Sequence, residues 1–127
     1  MFELTIKDTV YQFHFGMGFL REINKTVKQA VDGVPEAKKN IGLRFKIAGI
    51  MDGDLEDLVD VLDVANKGQN PRITRNALDA YIDDPETDID ALFASVLDFF
   101  GTANVTKKTM KEIQEAIEAN RAKMAKN

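Results

Sequence analysis

The spacing of the apolar residues changes once, near the N-terminus, and this change limits the possible folds more than any other feature of the chain. Up to residue 15, every second residue is apolar in two short runs, which Lys7-Asp8-Thr9 separates. Such alternation predicts two strands and a turn, and hence an antiparallel β-hairpin over residues 1–16. An isolated hairpin is marginally stable, so it must pack on other elements. The apolar positions are Phe2, Leu4, Ile6, Tyr11, Phe13 and Phe15.

After Gly16-Met17-Gly18 the apolar residues follow the three-to-four residue spacing of helices. This spacing predicts a first helix that Gly33 and Pro35 end, and a polar connection over residues 34–40. Residues 41–51, IGLRFKIAGIM, fit either a helix or a strand, and a helix is preferred. Three clearer helices follow, in the stretches DGDLEDLVDVLDVANKG, RNALDAYIDD and DIDALFASVLDFFG.

Short polar residues predict where these three helices begin. Asp52 or Asp54 is predicted to cap the first helix, and Thr74 the second. Thr87, with Asp90 three residues later, predicts a capping box for the third. The glycines predicted to end the first and third helices are Gly68 and Gly101.

The last predicted helix begins near Asn104 or Thr106 and carries a thin apolar stripe at nearly heptad spacing. Two interpretations stay open. One is a seam for self-association or for a partner. The other is a helix docked on its own domain, with a frayed end beyond about residue 120. The residues of this candidate seam are Met110, Ile113, Ile117 and Met124.

Length and composition favour a single globular domain over residues 1–127, because 44% of the residues are hydrophobic and 30% are charged. We predict a mainly α (α+β) fold: the hairpin over residues 1–16, a helical body over residues 17–103 and a C-terminal helix over residues 104–127, with five or six helices in all. The absence of cysteine excludes disulfides and thiolate metal sites. No apolar run approaches the roughly 20 residues that a membrane helix needs.

The net charge of −4 is distributed unevenly. Residues 1–51 carry 8 basic and 5 acidic groups, residues 52–98 carry 3 and 13, and residues 99–127 carry 6 and 3. A nucleic-acid binder usually has a dominant basic face, which this pattern lacks. The pattern suits self-association, in which a basic end of one copy meets the acidic middle of another. The simpler alternative is a solvated acidic surface.

A strand, Gly-x-Gly and a helix also form the start of nucleotide-binding loops. A dinucleotide-binding loop requires a third glycine where Arg21 stands, and a parallel strand beyond the helix. Because the predicted hairpin is antiparallel, we expect no nucleotide site. We predict instead a structural corner, at which the glycines let the chain leave the sheet and pack closely. The corner residues are Phe15, Gly16, Gly18 and Phe19.

Candidate residues for other chemistry are sparse. The only histidine, His14, is distant in sequence from the only serine, Ser95, so a catalytic pair is not expected. An EF-hand calcium loop starting at Asp52 would need glycine where Asp57 stands and glutamate where Asp63 stands. We therefore predict no metal, no cofactor and no enzymatic activity.

The lysines of the last helix raise the possibility of nucleic-acid binding. Glutamates are interleaved with them, which favours ion pairs within the helix, and the segment has no aromatic residue for base stacking. Nucleic-acid binding is therefore disfavoured. The charged residues are Lys107, Lys108, Lys111, Glu112, Glu115, Glu118, Arg121, Lys123 and Lys126.

Several segments together have the pattern of a known family. The second strand ends in Phe15-Gly16, and the next helix opens with Gly18-Phe19-Leu20 and continues with Ile23-Asn24. GDLEDLVDVLDVAN, ALDAYIDD and ALFASVLDFFG follow in that order. Over nearly the whole chain, this succession resembles the tail assembly chaperones of long, non-contractile-tailed phages and of related prophages of Gram-positive bacteria.

The resemblance implies a small, mainly helical protein that is not an enzyme and needs no cofactor. Such chaperones bind the long, helical tape measure protein in the cytoplasm of the bacterial host, keep it soluble and extended, and are displaced as tail tube protein polymerises. They self-associate into an open or spiral oligomer and have the major tail tube protein as a further partner. They are not expected in the mature virion or at a membrane. The alternative is a small helical adaptor or a nucleic-acid-associated phage protein.

Overall fold

The computed structural model of the chain describes residues 1–25 and 41–125. Within these residues an antiparallel pair of strands, β1 (Phe2–Ile6) and β2 (Thr9–Phe13), is followed by six helices. This confirms the mainly α (α+β) prediction of a hairpin and five or six helices. The predicted helix end at Gly33 and Pro35 and the connection over residues 34–40 lie outside the described residues. The helices are α1 (Met17–Lys25), α2 (Ile41–Met51), α3 (Leu55–Asn66), α4 (Arg75–Asp83), α5 (Ile89–Thr102) and α6 (Lys107–Ala125).

The hairpin turn consists of Lys7 and Asp8, whose φ angles are 50° and 66°. Positive φ at both turn residues is the requirement of the two-residue I′ turn, which matches the twist of the strands. In the resulting register Phe2 lies opposite Phe13. The alternating apolar side chains of the two strands therefore share one face of the hairpin.

Two kinds of contact hold this hairpin against the helices. The backbone N–H of His14 donates a hydrogen bond to the carbonyl of Ala65 in α3, at 2.8 Å. The rings of Phe2 and Phe15 both contact Phe99 of α5, with centroids 5.7 and 5.5 Å apart. The pair of strands thus gains from the helical core the stability that it lacks alone.

Residues 41–51 form α2, so the preference for a helix is confirmed. Leu43, Ile47 and Ile50 are buried at helical spacing and join one core with the hairpin and the other described helices. The largest fully buried side chains of this core are Phe13, Ile23, Leu43, Ile47, Ile50, Leu58, Leu62, Ile73, Leu78 and Phe100.

Helix N-caps follow the sequence at two of three predicted positions. The side chains of Asp54 and Thr74 each accept the N–H three residues on, at 3.0 Å, and so cap α3 and α4. The prediction of Thr87 as the cap of α5 is wrong: Asp88 accepts the N–H of Ala91, at 3.0 Å. The Thr87 hydroxyl instead donates to the carbonyl of Tyr81 in α4, at 2.6 Å. α5 also extends one residue past the glycine that was predicted to end it.

Candidate functional site

Three acidic residues of α3 are paired with cations from the neighbouring helices. The ammonium of Lys46, a side chain only 11% exposed, lies 3.0 Å from the carboxylate of Asp57 and 2.9 Å from that of Asp60. Arg75 of α4 lies 2.8 Å from Asp60 and 3.6 Å from Asp63. These carboxylates therefore join α3 to α2 and α4.

Both central members of this network have shifted pKa values. Burial raises the pKa of Asp60, but hydrogen bonds from Lys46 and Arg75, with their charges, hold it below its ordinary value. Burial lowers the pKa of Lys46, but its hydrogen bonds to Asp60 and Asp57 hold it above its ordinary value. Both shifts are away from neutrality, whereas a general acid or base works best with a pKa near the operating pH. Among residues 1–25 and 41–125, no group of three His, Cys, Asp or Glu side chains could hold a metal ion.

The structure brings the aromatic residues of the predicted corner together. The rings of Phe15 and Phe19 meet edge to face, with centroids 5.0 Å apart, and both side chains are buried. A Cβ atom at Gly16 would lie 2.4 Å from Nε2 of the His14 ring, so the imidazole covers this glycine. A Cβ atom at Gly18 would meet no atom within 4 Å. Close packing thus involves the first glycine of the corner and not the second.

The candidate seam on α6 is divided by the structure. Met110 is buried in the core, and Ile113 packs against it. Ile117 is half-buried, and Met124 is 69% exposed. Every residue from 118 to 125 is exposed. The first part of α6 is therefore docked on its own domain, in agreement with the second of the two interpretations of the stripe. The second part of α6 extends beyond the domain and leaves apolar surface exposed.

A groove of about 710 Å³ lies between the end of α2 and the outer part of α6. We call it the α2/α6 groove. Met51 and Ile117 contribute its apolar side chains, and Lys111 and Arg121 contribute positive charge. Negative charge comes from Asp52, Glu115 and Glu118. Apolar side chains with charges of both signs around them suit an amphipathic helix laid along the groove.

The sequence did not single out the outer side of α2. Phe45, opposite the buried residues of this helix, is 51% exposed. Exposed aromatic side chains are enriched at contact sites between proteins. The sequence did contain a signal for this surface, namely that residues 41–51 fit both a helix and a strand. A segment fits both patterns only if it is apolar on more than one side, and α2 can therefore bury only part of its apolar surface.

Comparison with known proteins identifies the family. The model of the phage tail assembly chaperone protein family matches residues 3–115. No curated protein and no solved structure matches the chain. None of the described helices combines the length and the apolar character that crossing a membrane would take. The family match includes the hairpin, the corner, α2 and the docked part of α6, and it confirms the resemblance inferred from the order of the segments. The chain belongs to the phage tail assembly chaperone family.

Proposed function

We propose that this chaperone binds the tape measure protein, keeps it soluble and extended, and is displaced as tail tube protein polymerises. The observation that carries the proposal is the α2/α6 groove beside the free part of α6. A long helical protein exposes apolar stripes that aggregate unless they are covered. Met51 and Ile117 offer apolar cover for such a stripe, and the charges around them can fix the direction of the bound helix.

We also propose where, and in what assembly, the protein works. We place it in the cytoplasm of the bacterial host, in an open or spiral oligomer along the tape measure protein, and outside the mature virion. The major tail tube protein is a further partner, which takes over the surface that the chaperone leaves. The role is that of a binding protein without cofactor or catalysis, and the pairing of the α3 carboxylates with cations supports this view.

Co-expression with the tape measure protein tests the role and the groove together. The unchanged chain is expected to raise the soluble yield of the tape measure protein and to copurify with it. Met51→Gln with Ile117→Gln is expected to lose both effects, because polar side chains remove the apolar contact in the groove. Val10→Gln is the matched control, since Val10 is 47% exposed on β2, away from the groove.

The outcomes separate the two parts of the proposal. If the unchanged chain neither solubilises nor copurifies with the tape measure protein, the proposed function is wrong. If the double variant keeps its melting temperature and full solubilising activity, the function stands and the α2/α6 groove is not the binding surface.

A small nucleic-acid-associated phage protein is the second candidate function. The favouring observation is a groove of about 480 Å³ at the start of α6, lined by Lys107, Lys108 and Lys111 and by no described acidic residue. A gel shift that weakens with added salt would support this candidate. The absence of any shift at low salt would rule it out.

A further inference from the structure

The two ends of α5 carry opposite charge. The turn that leads into the helix contains Asp84, Glu86 and Asp88. Beyond its other end, α6 begins with Lys107 and Lys108. α5 has 14 residues, which at a rise of about 1.5 Å per residue separate the two clusters by about 20 Å. Acidic and basic surfaces therefore lie at opposite ends of one helix and cannot neutralise each other within a copy.

The acidic end is a pocket with aromatic walls. It lies between the hairpin and α4, has a volume of about 380 Å³, and also has Lys7 in its lining, which leaves an excess of two negative charges. The carboxylates at its edge form no ion pair with any other described residue. Carboxylates beside aromatic rings suit a cation on an apolar stem, which is a lysine or an arginine side chain. We define this acidic pocket by Tyr11, Tyr81, Asp84, Glu86 and Asp88.

The basic end conflicts with the electrostatics of its own helix. Lys107 and Lys108 lie in the first turn of α6, where the helix dipole is positive and favours anions. α3 and α5 follow this preference, with Glu56, Asp57 and Asp90 in their first turns. No described carboxylate forms an ion pair with either lysine or with Lys111. An anionic surface from outside the copy would relieve this repulsion. We call the surface of Lys107, Lys108 and Lys111 the lysine groove.

We infer that the acidic pocket of one copy receives Lys107 and Lys108 of a second copy, so that the protein associates head to tail. The inference rests on the self-association included in the proposed function and names the two surfaces that produce it. Because the two surfaces differ, the contact leaves one free acidic pocket and one free lysine groove at the ends of any open assembly. Such a contact generates a polar chain of copies. A contact made by charged pairs at the surface also weakens as salt is added.

Two neutralising variants block one surface each. Asp84→Asn with Glu86→Gln blocks the acidic pocket, and asparagine keeps the oxygen with which Asp84 accepts the Glu86 N–H. Lys107→Gln with Lys108→Gln blocks the lysine groove. Glu3→Gln with Asp98→Asn removes two exposed charges elsewhere and serves as the control. All the changed side chains are exposed, so we expect no loss of thermal stability in any variant, and a slightly higher melting temperature for the lysine variant because its substitutions relieve the repulsion at the start of α6.

Sedimentation velocity over a range of concentrations at low and high salt is the test. The unchanged chain and the control are expected to associate at low salt, and each blocking variant to associate at least about tenfold more weakly. A mixture of the two blocking variants retains one intact contact and is expected to form a dimer and nothing larger. Contacts between identical surfaces cannot produce this result.

Three results would overturn the inference. The unchanged chain could be a monomer at low salt, the blocking variants could associate as strongly as the control, or the mixture of the two blocking variants could form no dimer. A gel shift that the lysine substitutions abolish would assign the lysine groove to nucleic acid instead. None of these variants changes Met51 or Ile117. The two ideas can therefore fail separately. If the blocking variants are monomers but still solubilise the tape measure protein, binding to the tape measure protein does not depend on the head-to-tail contact.

Discussion

Gly42 lies at the contact between α1 and α2, where the two backbones touch. A Cβ atom at this position would lie 2.3 Å from the carbonyl oxygen of Ile23 and 2.5 Å from Cα of Asn24. The Asn24 side chain also accepts the N–H of Leu43, at 3.0 Å, and so satisfies a donor in the first turn of α2. Since backbone atoms of a packed helix cannot move aside like a flexible side chain, the close approach depends on glycine.

Replacing Gly42 by alanine should therefore destabilise the fold. We expect the free energy of unfolding to fall by about 2 kcal/mol, which is typical of overpacking. Gly18→Ala is the matched control, because Gly18 is also the second residue of its helix and has open space around it. Alanine there is expected to leave stability unchanged or to raise it by up to about 1 kcal/mol. Equal effects of the two substitutions in urea unfolding would contradict the packing argument.

Asn66 is fully buried and joins three parts of the chain. Its Nδ2 group donates to the carbonyls of Gln12 in β2, at 2.8 Å, and of Pro71, at 3.3 Å. Its Oδ1 atom accepts the N–H of Ile73, at 2.7 Å, and a hydrogen bond from Arg72, at 3.1 Å. The sequence offers no local signal for this role, since an asparagine near a helix end ordinarily indicates a helix stop.

Asp60 predicts how stability depends on pH. Its pKa is lower in the folded chain than in the unfolded one, so the unfolded chain binds the proton first as the pH falls. The stabilisation is thus present above about pH 4 and is lost as the pH falls through the folded value. We expect Asp60→Asn to be less stable than the unchanged chain at neutral pH, and the difference to shrink below about pH 4.

Urea unfolding at several pH values measures this difference. Asp98→Asn is the control, because it removes an exposed carboxylate that forms no ion pair with a described residue. A constant difference between Asp60→Asn and the unchanged chain down to strongly acidic pH would show that the ion pairs with Lys46 and Arg75 do not stabilise the fold.

At the scale of elements, α6 has a docked part and a free part. The hydroxyl of Thr106, which is buried, donates to the carbonyl of Phe100, at 2.7 Å, and ties the start of α6 to α5. Arg44 of α2 pairs with Glu112 and holds the next turn. Beyond Ile117 no side chain is buried as far as residue 125. A helix end without tertiary contacts contributes little to folding, and its apolar surface stays accessible to a partner.

Deletion of residues 118–127 tests this division. We expect the free energy of unfolding to change by less than about 0.5 kcal/mol, because the residues described in this part bury nothing. Solubilisation of the tape measure protein should fall, since the deletion removes Glu118 and Arg121 from the α6 side of the α2/α6 groove. A deletion that starts at Met110 removes a core residue and is expected to unfold the domain. A large loss of stability from the shorter deletion would mean that the end of α6 does pack on the domain.

At the scale of the whole molecule, the structure distinguishes two groups of carboxylates within the acidic middle of the sequence. The carboxylates of Asp57, Asp60 and Asp63 on α3 are paired with cations and stabilise the fold. The carboxylates at the turn between α4 and α5 are exposed at the surface. The sequence suggests self-association through the whole acidic middle, whereas the structure leads us to propose it for the acidic pocket alone.

The sequence by itself determined the order of the described elements and the type of each except α2, whose residues fit either a helix or a strand. The hairpin follows from alternation, the helices from their apolar stripes, and the caps at Asp54 and Thr74 from short polar side chains. These signals act between residues a few positions apart, so they can be read from the chain without knowledge of the fold.

Contacts between distant parts of the chain were decided only by the tertiary structure. The cap of α5 is Asp88 because the Thr87 hydroxyl bonds to α4. Phe45 is exposed while Phe100 is buried, although both are aromatic residues in apolar helices. Met110 and Met124 share one stripe, yet only the first meets the core. Burial depends on which elements pack together, and neither periodicity nor composition contains that information.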